Sequence, residues 1–170
     1  MPLPSTLAVL GGALIYVGFV LVINGLWLLG KANSKDVMVI NFFTGLVTFA
    51  AAFYFLLAQG SALAWAQSLL FSFTYLWIAL NILRNVEDQR AFGWYCLLVA
   101  ITALISGIIS IPSAVNMLLA YLTFLWFLWA GLWGSFWVLL VLKRGSIPIA
   151  WATIVTGILS YVPAFMYMLS

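Results

Sequence analysis

The sequence AVNMLLAYLTFLWFLWAGLWGSFWVLLV, residues 114–141, contains no charged side chain. A helix needs about 20 apolar residues to cross the hydrocarbon core of a bilayer, so this run is long enough to span a membrane. Five more apolar runs occupy residues 3–29, 37–58, 62–83, 91–111 and 147–169. The sequence therefore predicts an all-α integral membrane protein with six transmembrane helices.

The composition agrees with this prediction. Of the 170 residues, 67% are hydrophobic and 5% are charged, whereas about a quarter of a soluble domain is charged. Six spans and their short connections use up the chain, so residues 1–170 are predicted to form a single transmembrane domain. The first run follows no charged segment and is too long for a cleaved signal peptide, and we interpret it as a retained span. The single cysteine, Cys96, excludes an intrachain disulfide.

The charged residues divide the connections into two classes. All of them lie in the first, third or fifth connection, and the second and fourth carry none: Lys31, Lys35, Asp36, Arg84, Glu87, Asp88, Arg90, Lys143 and Arg144. Lysine and arginine in short loops are retained in the cytoplasm, so both chain termini are predicted to lie outside. The alternation also divides the chain into three helical hairpins. Topology explains the net charge of +3, and no basic face for nucleic acid is indicated.

The predicted spans lack the side chains of ion transport and catalysis. None contains Asp, Glu, Lys, Arg or His, the groups on which proton relays and ion-coupled carriers depend. The chain has no histidine and no base placed beside a nucleophile, so we expect no enzyme activity, no cofactor and no metal site. A small neutral molecule loses only a few kcal/mol of hydrogen bonding in an apolar conduit, whereas an ion loses far more. The sequence favours passage of a neutral solute.

Tryptophans recur along one face of the fifth predicted span. Trp126, Trp129, Trp133 and Trp137 follow at steps of three, four and four residues, with Leu132 at the flank of the same face. One interpretation is bulk that faces lipid or packs against another helix. The other is a slot with flat aromatic walls, which would suit a planar amide-like solute.

Two other spans carry weakly polar faces that favour either interhelical hydrogen bonds or a pore lining. These residues are Gln67, Thr74 and Asn81 in the third span and Thr153, Thr156 and Ser160 in the last. The first span repeats Gly11, Gly18 and Gly25, a smooth ridge that predicts close helix packing. Pro163 falls inside the last span and is expected to bend it.

Several segments resemble the UreI/AmiS family of urea and short-chain amide channels, and the similarity extends over nearly the whole chain. They are LIYVGFVLVING at 14–25, INFFTG at 40–45, LFSFTYLWIALN at 70–81, WYCLLVAIT at 94–102, WFLWAGLW at 126–133 and GILSYVPA at 157–164. The resemblance implies a six-helix protomer with outside termini and a urea-sized pore through each protomer. It also implies a homohexamer in the bacterial cytoplasmic (inner) membrane.

The resemblance further implies which residues narrow the pore. They are Phe73, Trp77, Trp126, Trp129, Leu132 and Trp133, with Leu10, Leu14 and Leu21 opposite them on the first helix. Acid-gated members from gastric bacteria have a tyrosine in place of Trp77 and a glutamate where this chain has Thr156. A threonine can offer a passing solute a hydrogen bond, but it cannot sense protonation.

Two hypotheses about function follow. The first is a passive channel, not gated by pH, for urea or small aliphatic amides, surrounded by membrane lipid and linked to a cytoplasmic urease or amidase. In this channel Trp126, Trp129 and Trp133 form stacking walls. The second is a non-transporting membrane scaffold or assembly subunit whose aromatic stripe is an oligomer interface.

Overall fold

The computed structural model describes residues 4–169, so Leu3, the predicted start of the first span, lies outside the described residues. Within that range the chain forms seven α-helices and a short 3-10 turn at Ile111–Ser113. The helices are α1 Thr6–Leu28, α2 Ser34–Leu57, α3 Ala62–Leu83, α4 Arg90–Ser110, α5 Met117–Val141, α6 Ser146–Tyr161 and α7 Ala164–Met168. With α6 and α7 taken as one segment, six segments are long and apolar enough to cross a membrane. The six-span prediction is confirmed.

Polar residues at the breaks between apolar runs begin four of these helices. The side-chain oxygens of Ser5, Asn33, Ser61 and Asn116 each accept a hydrogen bond from the backbone N–H three residues further on. Such caps satisfy one of the N–H groups that the first turn of a helix leaves unpaired. The few polar residues of this chain therefore fix where its helices start.

The last span is broken at Pro163, as predicted. Helix α6 ends at Tyr161, and α7 begins at Ala164. Proline has no N–H for the helical hydrogen bond, and its ring clashes with the preceding turn. The backbone resumes a helical hydrogen bond when the N–H of Tyr167 donates to the carbonyl of Pro163.

The helices form a closed ring. Each span contacts the next along the chain, and α6 and α7 return to contact α1. The predicted packing role of the α1 glycines is confirmed, because a Cβ on Gly11 would lie 2.5 Å from the carbonyl oxygen of Ala164 and one on Gly18 would lie 2.5 Å from the Cβ of Tyr161. Glycine also allows α2 to approach α3 at Gly45 and α4 to approach α5 at Gly93. The closest helix pairs are therefore α1 with α6, α2 with α3 and α4 with α5, each with a glycine at the contact.

The charged residues gather at one end of the ring, at the ends of the helices and in their odd-numbered connections. Lys35 and Asp36 lie in the first turn of α2, and Arg90 is the first residue of α4. Arg90 pairs with Asp88 at 2.6 Å, and both side chains are exposed, so the pair adds little stability. Hydrogen bonds from Arg90 lower the pKa of Asp88 to about 2.

Candidate functional site

A cavity of about 320 Å³ lies inside the ring. Its walls come mainly from α1, α2, α3 and α5, with Ser110 and Ser113 beside the mouth at the uncharged end. Along α1 the lining extends from Thr6 to Leu21, about 22 Å at the usual helical rise. The cavity therefore starts at the uncharged end of the molecule and reaches well past its middle.

Three tryptophans of α5 form one wall of this cavity. Trp126, Trp129 and Trp133 are 9%, 5% and 2% exposed, so these three do not face lipid. The ring of Phe71 from α3 lies among them, with centroid distances of 5.7, 5.3 and 6.3 Å respectively. Aromatic rings from both α3 and α5 therefore line the cavity.

Tyr75 marks the deep end of the cavity. Its ring lies 6.2 Å from that of Trp133, which in turn lies 5.6 Å from Phe136. Tyr75 and Trp133 line the cavity, whereas Phe136 is buried beyond it. A cluster of large apolar side chains thus closes the space between the cavity and the charged end.

Phe73 and Trp77, which the resemblance places at narrow parts of the pore, are not among the residues that line this cavity. Phe73 is 43% exposed and packs against Phe49, while Trp77 packs against Phe92 and Tyr95. Two residues along a helix turn the side chain by about 200°, to nearly the opposite face. Phe71 and Tyr75 supply the aromatic rings from α3 instead.

The other expected residues divide into two groups. Leu10, Leu14 and Leu21 line the cavity from α1. Leu132 and Thr156 are buried, at 3% and 2% exposure, but they are not among the lining residues. Both side chains therefore lie within the protein, outside the surface of this cavity.

A chain of hydrogen bonds ties the aromatic wall to α6. The indole N–H of Trp129 donates to the hydroxyl oxygen of Ser160 at 3.0 Å. The Ser160 hydroxyl donates its own proton to the carbonyl of Thr156 at 2.8 Å. Since that proton is committed, Ser160 serves Trp129 as an acceptor and holds its ring in place.

We expect Ser160→Ala to lower the free energy of unfolding by about 1–3 kcal/mol, because the buried indole N–H of Trp129 would lose its partner. Thermal unfolding in detergent, followed by tryptophan fluorescence, measures this change. The matched control is Ser135→Ala, since the Ser135 hydroxyl bonds only the Leu132 carbonyl of its own helix. Equal melting temperatures for the two variants would contradict the assignment.

Three polar groups in the aromatic part of the cavity have no partner among residues 4–169. The hydroxyl of Tyr75 and the indole N–H groups of Trp126 and Trp133 make no hydrogen bond there, although all three side chains are almost fully buried. Buried polar groups are normally paired. These groups are therefore available to a molecule inside the cavity.

The predicted polar faces of α3 and α6 serve several purposes. Gln67 lines the cavity, but the Thr74 hydroxyl donates to the Phe71 carbonyl and the Asn81 amide donates to Gln89. On α6 the Thr153 hydroxyl donates to the Ile149 carbonyl. Thr74, Thr153 and Ser160 therefore donate to carbonyls of their own helices, and of the six residues only Gln67 lies on the cavity wall.

Sequence reasoning also missed a buried pair of asparagines. The amides of Asn24 on α1 and Asn41 on α2 donate to each other at 3.1 and 2.7 Å, and Asn41 also donates to the Val37 carbonyl. Each asparagine stands alone in an apolar run, and nothing in the sequence indicates that the two meet. The pair joins α1 to α2 near the charged end.

The family is decided by comparison with known proteins. The model of the AmiS/UreI family of transporters matches residues 9–170. The chain belongs to the AmiS/UreI family. It is 33% identical over 163 residues to a putative amidate substrates transporter protein of Mycolicibacterium smegmatis, covering 92% of this chain and 75% of the relative. It is 31% identical over 191 residues to the acid-activated urea channel of Helicobacter pylori strain 26695, covering 92% and 96% respectively.

Solved structures of a urea channel have the same fold. The cryo-EM structure of the Helicobacter pylori urea channel in a closed state superimposes with a TM-score of 0.83 at 30% identity, covering 94% of this chain and 97% of the other. The crystal structure of that channel gives a TM-score of 0.80 at 32% identity, covering 92% and 96%. The predicted family is thereby confirmed. The chain is a multi-pass protein of the bacterial inner membrane, in a family of urea and amide channels and transporters.

Proposed function

We propose that this protein is a passive channel for urea and small aliphatic amides. The observation that carries the proposal is the aromatic cavity in which Tyr75, Trp126 and Trp133 present unpartnered polar groups. Indole N–H groups can donate to the carbonyl of the solute, and the tyrosine hydroxyl can accept from its amino group. The relatives named for amidates and for urea support the same solute class.

The walls also explain why such a channel would exclude ions. The lining is mostly apolar and has no charged side chain. A bare ion would lose tens of kcal/mol of hydration there, whereas a neutral amide would lose a few kcal/mol and recover part of it from the polar groups. The width of the channel and the cost of removing water from the solute would together determine which solutes pass.

Stopped-flow light scattering of proteoliposomes tests this proposal. In a gradient of urea or acetamide, vesicles with the protein should reswell much faster than protein-free vesicles of the same lipid. A non-transporting scaffold, the alternative function, would show only the permeability of the lipid. Because Trp126, Trp129 and Trp133 face the cavity, an oligomer interface built from them is disfavoured.

The orientation and assembly belong to the same proposal. The positive charges at one end of the ring favour a cytoplasmic location for that end, with both termini and the mouth of the cavity outside. We propose a homohexamer in which each protomer has its own cavity, and a cytoplasmic urease or amidase that consumes the solute. Cross-linking in native membranes would test the number of protomers.

We further propose that conduction does not depend on external pH. The relative from Helicobacter pylori is named an acid-activated channel, but this chain has no histidine, the side chain that titrates near neutrality without special help. The connections at the uncharged end, residues 58–61 and 111–116, contain no ionisable side chain. Asp88 lies at the other end, and its lowered pKa keeps it ionised until the pH falls towards 2.

The expected result is nearly constant urea permeability as external pH falls from about 7.5 to 5, the range in which a histidine switch would act. Proteoliposomes with a verified orientation of the protein provide the measurement, and the internal pH is held constant. A several-fold increase in flux on external acidification would mean that a titrating group controls the mouth, contrary to the proposal.

A further inference from the structure

Gln67 lies on the cavity wall closer to the mouth than Phe71 and Tyr75, on the same face of α3. Its side-chain NH₂ group donates to the hydroxyl oxygen of Ser106 on α4 at 2.9 Å. Ser106 is 2% exposed, and its hydroxyl donates to the carbonyl of Thr102 at 2.8 Å. The amide of Gln67 is therefore held by a buried serine on the neighbouring helix.

This arrangement fixes which end of the Gln67 amide is free. A hydroxyl has one proton, and that of Ser106 is committed to the Thr102 carbonyl. The serine can offer Gln67 only a lone pair, so the NH₂ group must face Ser106. The carbonyl oxygen, Oε1, accepts no hydrogen bond from the part of the chain that the structure describes.

We propose that Gln67 Oε1 is the acceptor that selects solutes with N–H donors at the outer part of the cavity, and that Ser106 is its positioning residue. This inference rests on the proposed channel function and adds to it a requirement for a donor. A solute that leaves bulk water loses its hydrogen bonds, and Gln67 restores one of them to an NH₂ group. Primary amides and urea have such a group.

Gln67 and the deeper polar groups act on a solute in sequence. Gln67 and Tyr75 are eight residues apart on α3, about 12 Å along the helix axis. A molecule the size of urea cannot contact both at once. A solute would therefore bind first through its NH₂ group at Gln67 and then reach the N–H donors of Trp126 and Trp133.

Gln67→Leu tests the inference, because leucine has a similar volume but no acceptor. The two probe solutes are acetamide and dimethyl sulfoxide, which has the same number of non-hydrogen atoms and accepts hydrogen bonds but donates none. Stopped-flow permeabilities in proteoliposomes are corrected for lipid and compared as a ratio. We expect Gln67→Leu to lower the ratio of acetamide to dimethyl sulfoxide permeability by about two- to tenfold, the effect of losing one hydrogen bond.

Two further variants separate recognition from folding. Ser106→Ala retains the Gln67 acceptor but no longer fixes its orientation, so the ratio of acetamide to dimethyl sulfoxide permeability should fall by a smaller factor. In the double variant Gln67→Leu with Ser106→Ala, this ratio should fall no further than in Gln67→Leu alone. Gln59→Leu is the control, because Gln59 does not line the cavity and its amide donates to the Pro4 carbonyl. That carbonyl also accepts a hydrogen bond from the Tyr54 hydroxyl, so it keeps a partner in the variant. Its ratio should match the wild type.

The outcomes are distinct. A parallel fall of both permeabilities in Gln67→Leu would assign Gln67 a structural role only, and an unchanged ratio would remove it from the path; either result overturns the inference. If the wild-type protein conducts neither solute above the lipid background, the proposed function itself fails.

Discussion

Replacing Trp133 with alanine is expected to cost the channel most of its discrimination by size, because Trp133 lies at the deepest part of the lined cavity. Its ring contacts those of Phe71, Tyr75 and Phe136, and its side chain is 2% exposed. Loss of the indole would open space towards the charged end. We expect the permeability ratio of acetamide to butyramide to fall by about tenfold, within the range that one or two methylenes contribute in a fitted pocket.

Trp137→Ala is the matched control for this variant. Trp137 is one turn further along α5, is not among the lining residues, and packs against Trp94. Its substitution should change the ratio little. Stopped-flow permeabilities of proteoliposomes, together with size-exclusion chromatography to verify an intact oligomer, provide the measurement. Small and equal effects at Trp133 and Trp137 would leave the aromatic wall without a role in conduction.

The second large effect is expected at the contact between the first and last helices. A Cβ on Gly11 would lie 2.5 Å from the carbonyl oxygen of Ala164 and 2.9 Å from the backbone nitrogen of Met168. Because these are backbone atoms, α7 as a whole would have to move. We expect Gly11→Ala to lower the free energy of unfolding by about 1–3 kcal/mol, as overpacking of a core usually does.

The neighbouring glycine offers a close control. A Cβ on Gly12 would meet no atom within 4 Å, so Gly12→Ala should be neutral or stabilising by up to about 1 kcal/mol from helix propensity. Thermal unfolding in detergent should therefore show a lower melting temperature for Gly11→Ala and an unchanged or higher one for Gly12→Ala. A shift of the same sign and size at both positions would show that the close approach of α7 has no energetic consequence.

The sequence was sufficient for the helices and for half of the cavity. Apolar runs long enough to cross a bilayer admit only a helical fold, and the polar residues between them coincide with helix caps such as Asn33 and Asn116. The spacing of Trp126, Trp129 and Trp133 placed them on one face, and the structure shows that this face lines the cavity. The spacing of residues along one helix determines which of them share a face, so the sequence predicts that face without knowledge of the tertiary structure.

What the sequence could not supply is the rotation of each helix and its partners. The resemblance implies that Phe73 and Trp77 narrow the pore, whereas Phe71 and Tyr75 line the cavity from α3, on nearly the opposite face of that helix. The interval of four residues between Gln67, Phe71 and Tyr75 places these three on one face of α3, and this spacing could have indicated the face that lines the cavity.

Contacts between distant segments are hidden for another reason. Trp129 and Ser160 are 31 residues apart, and their hydrogen bond depends on how α5 and α6 pack. A local pattern therefore does not reveal that Ser160, whose hydroxyl donates to the backbone carbonyl of Thr156, also accepts the indole N–H of Trp129.

The closure of the ring by α1 and α7 has a consequence for the order of synthesis. Gly11 and Ala164 lie near opposite ends of the described chain, so the face of α1 that carries Gly11, Gly18 and Gly25 has no contact with α6 and α7 until those helices are made. At 5–20 residues per second, ribosomes take on the order of ten seconds to cover that interval. During this time that face of α1 is in contact with lipid or with the insertion machinery. Closure of the helix ring is therefore a late event, completed only when the last helix docks onto the first.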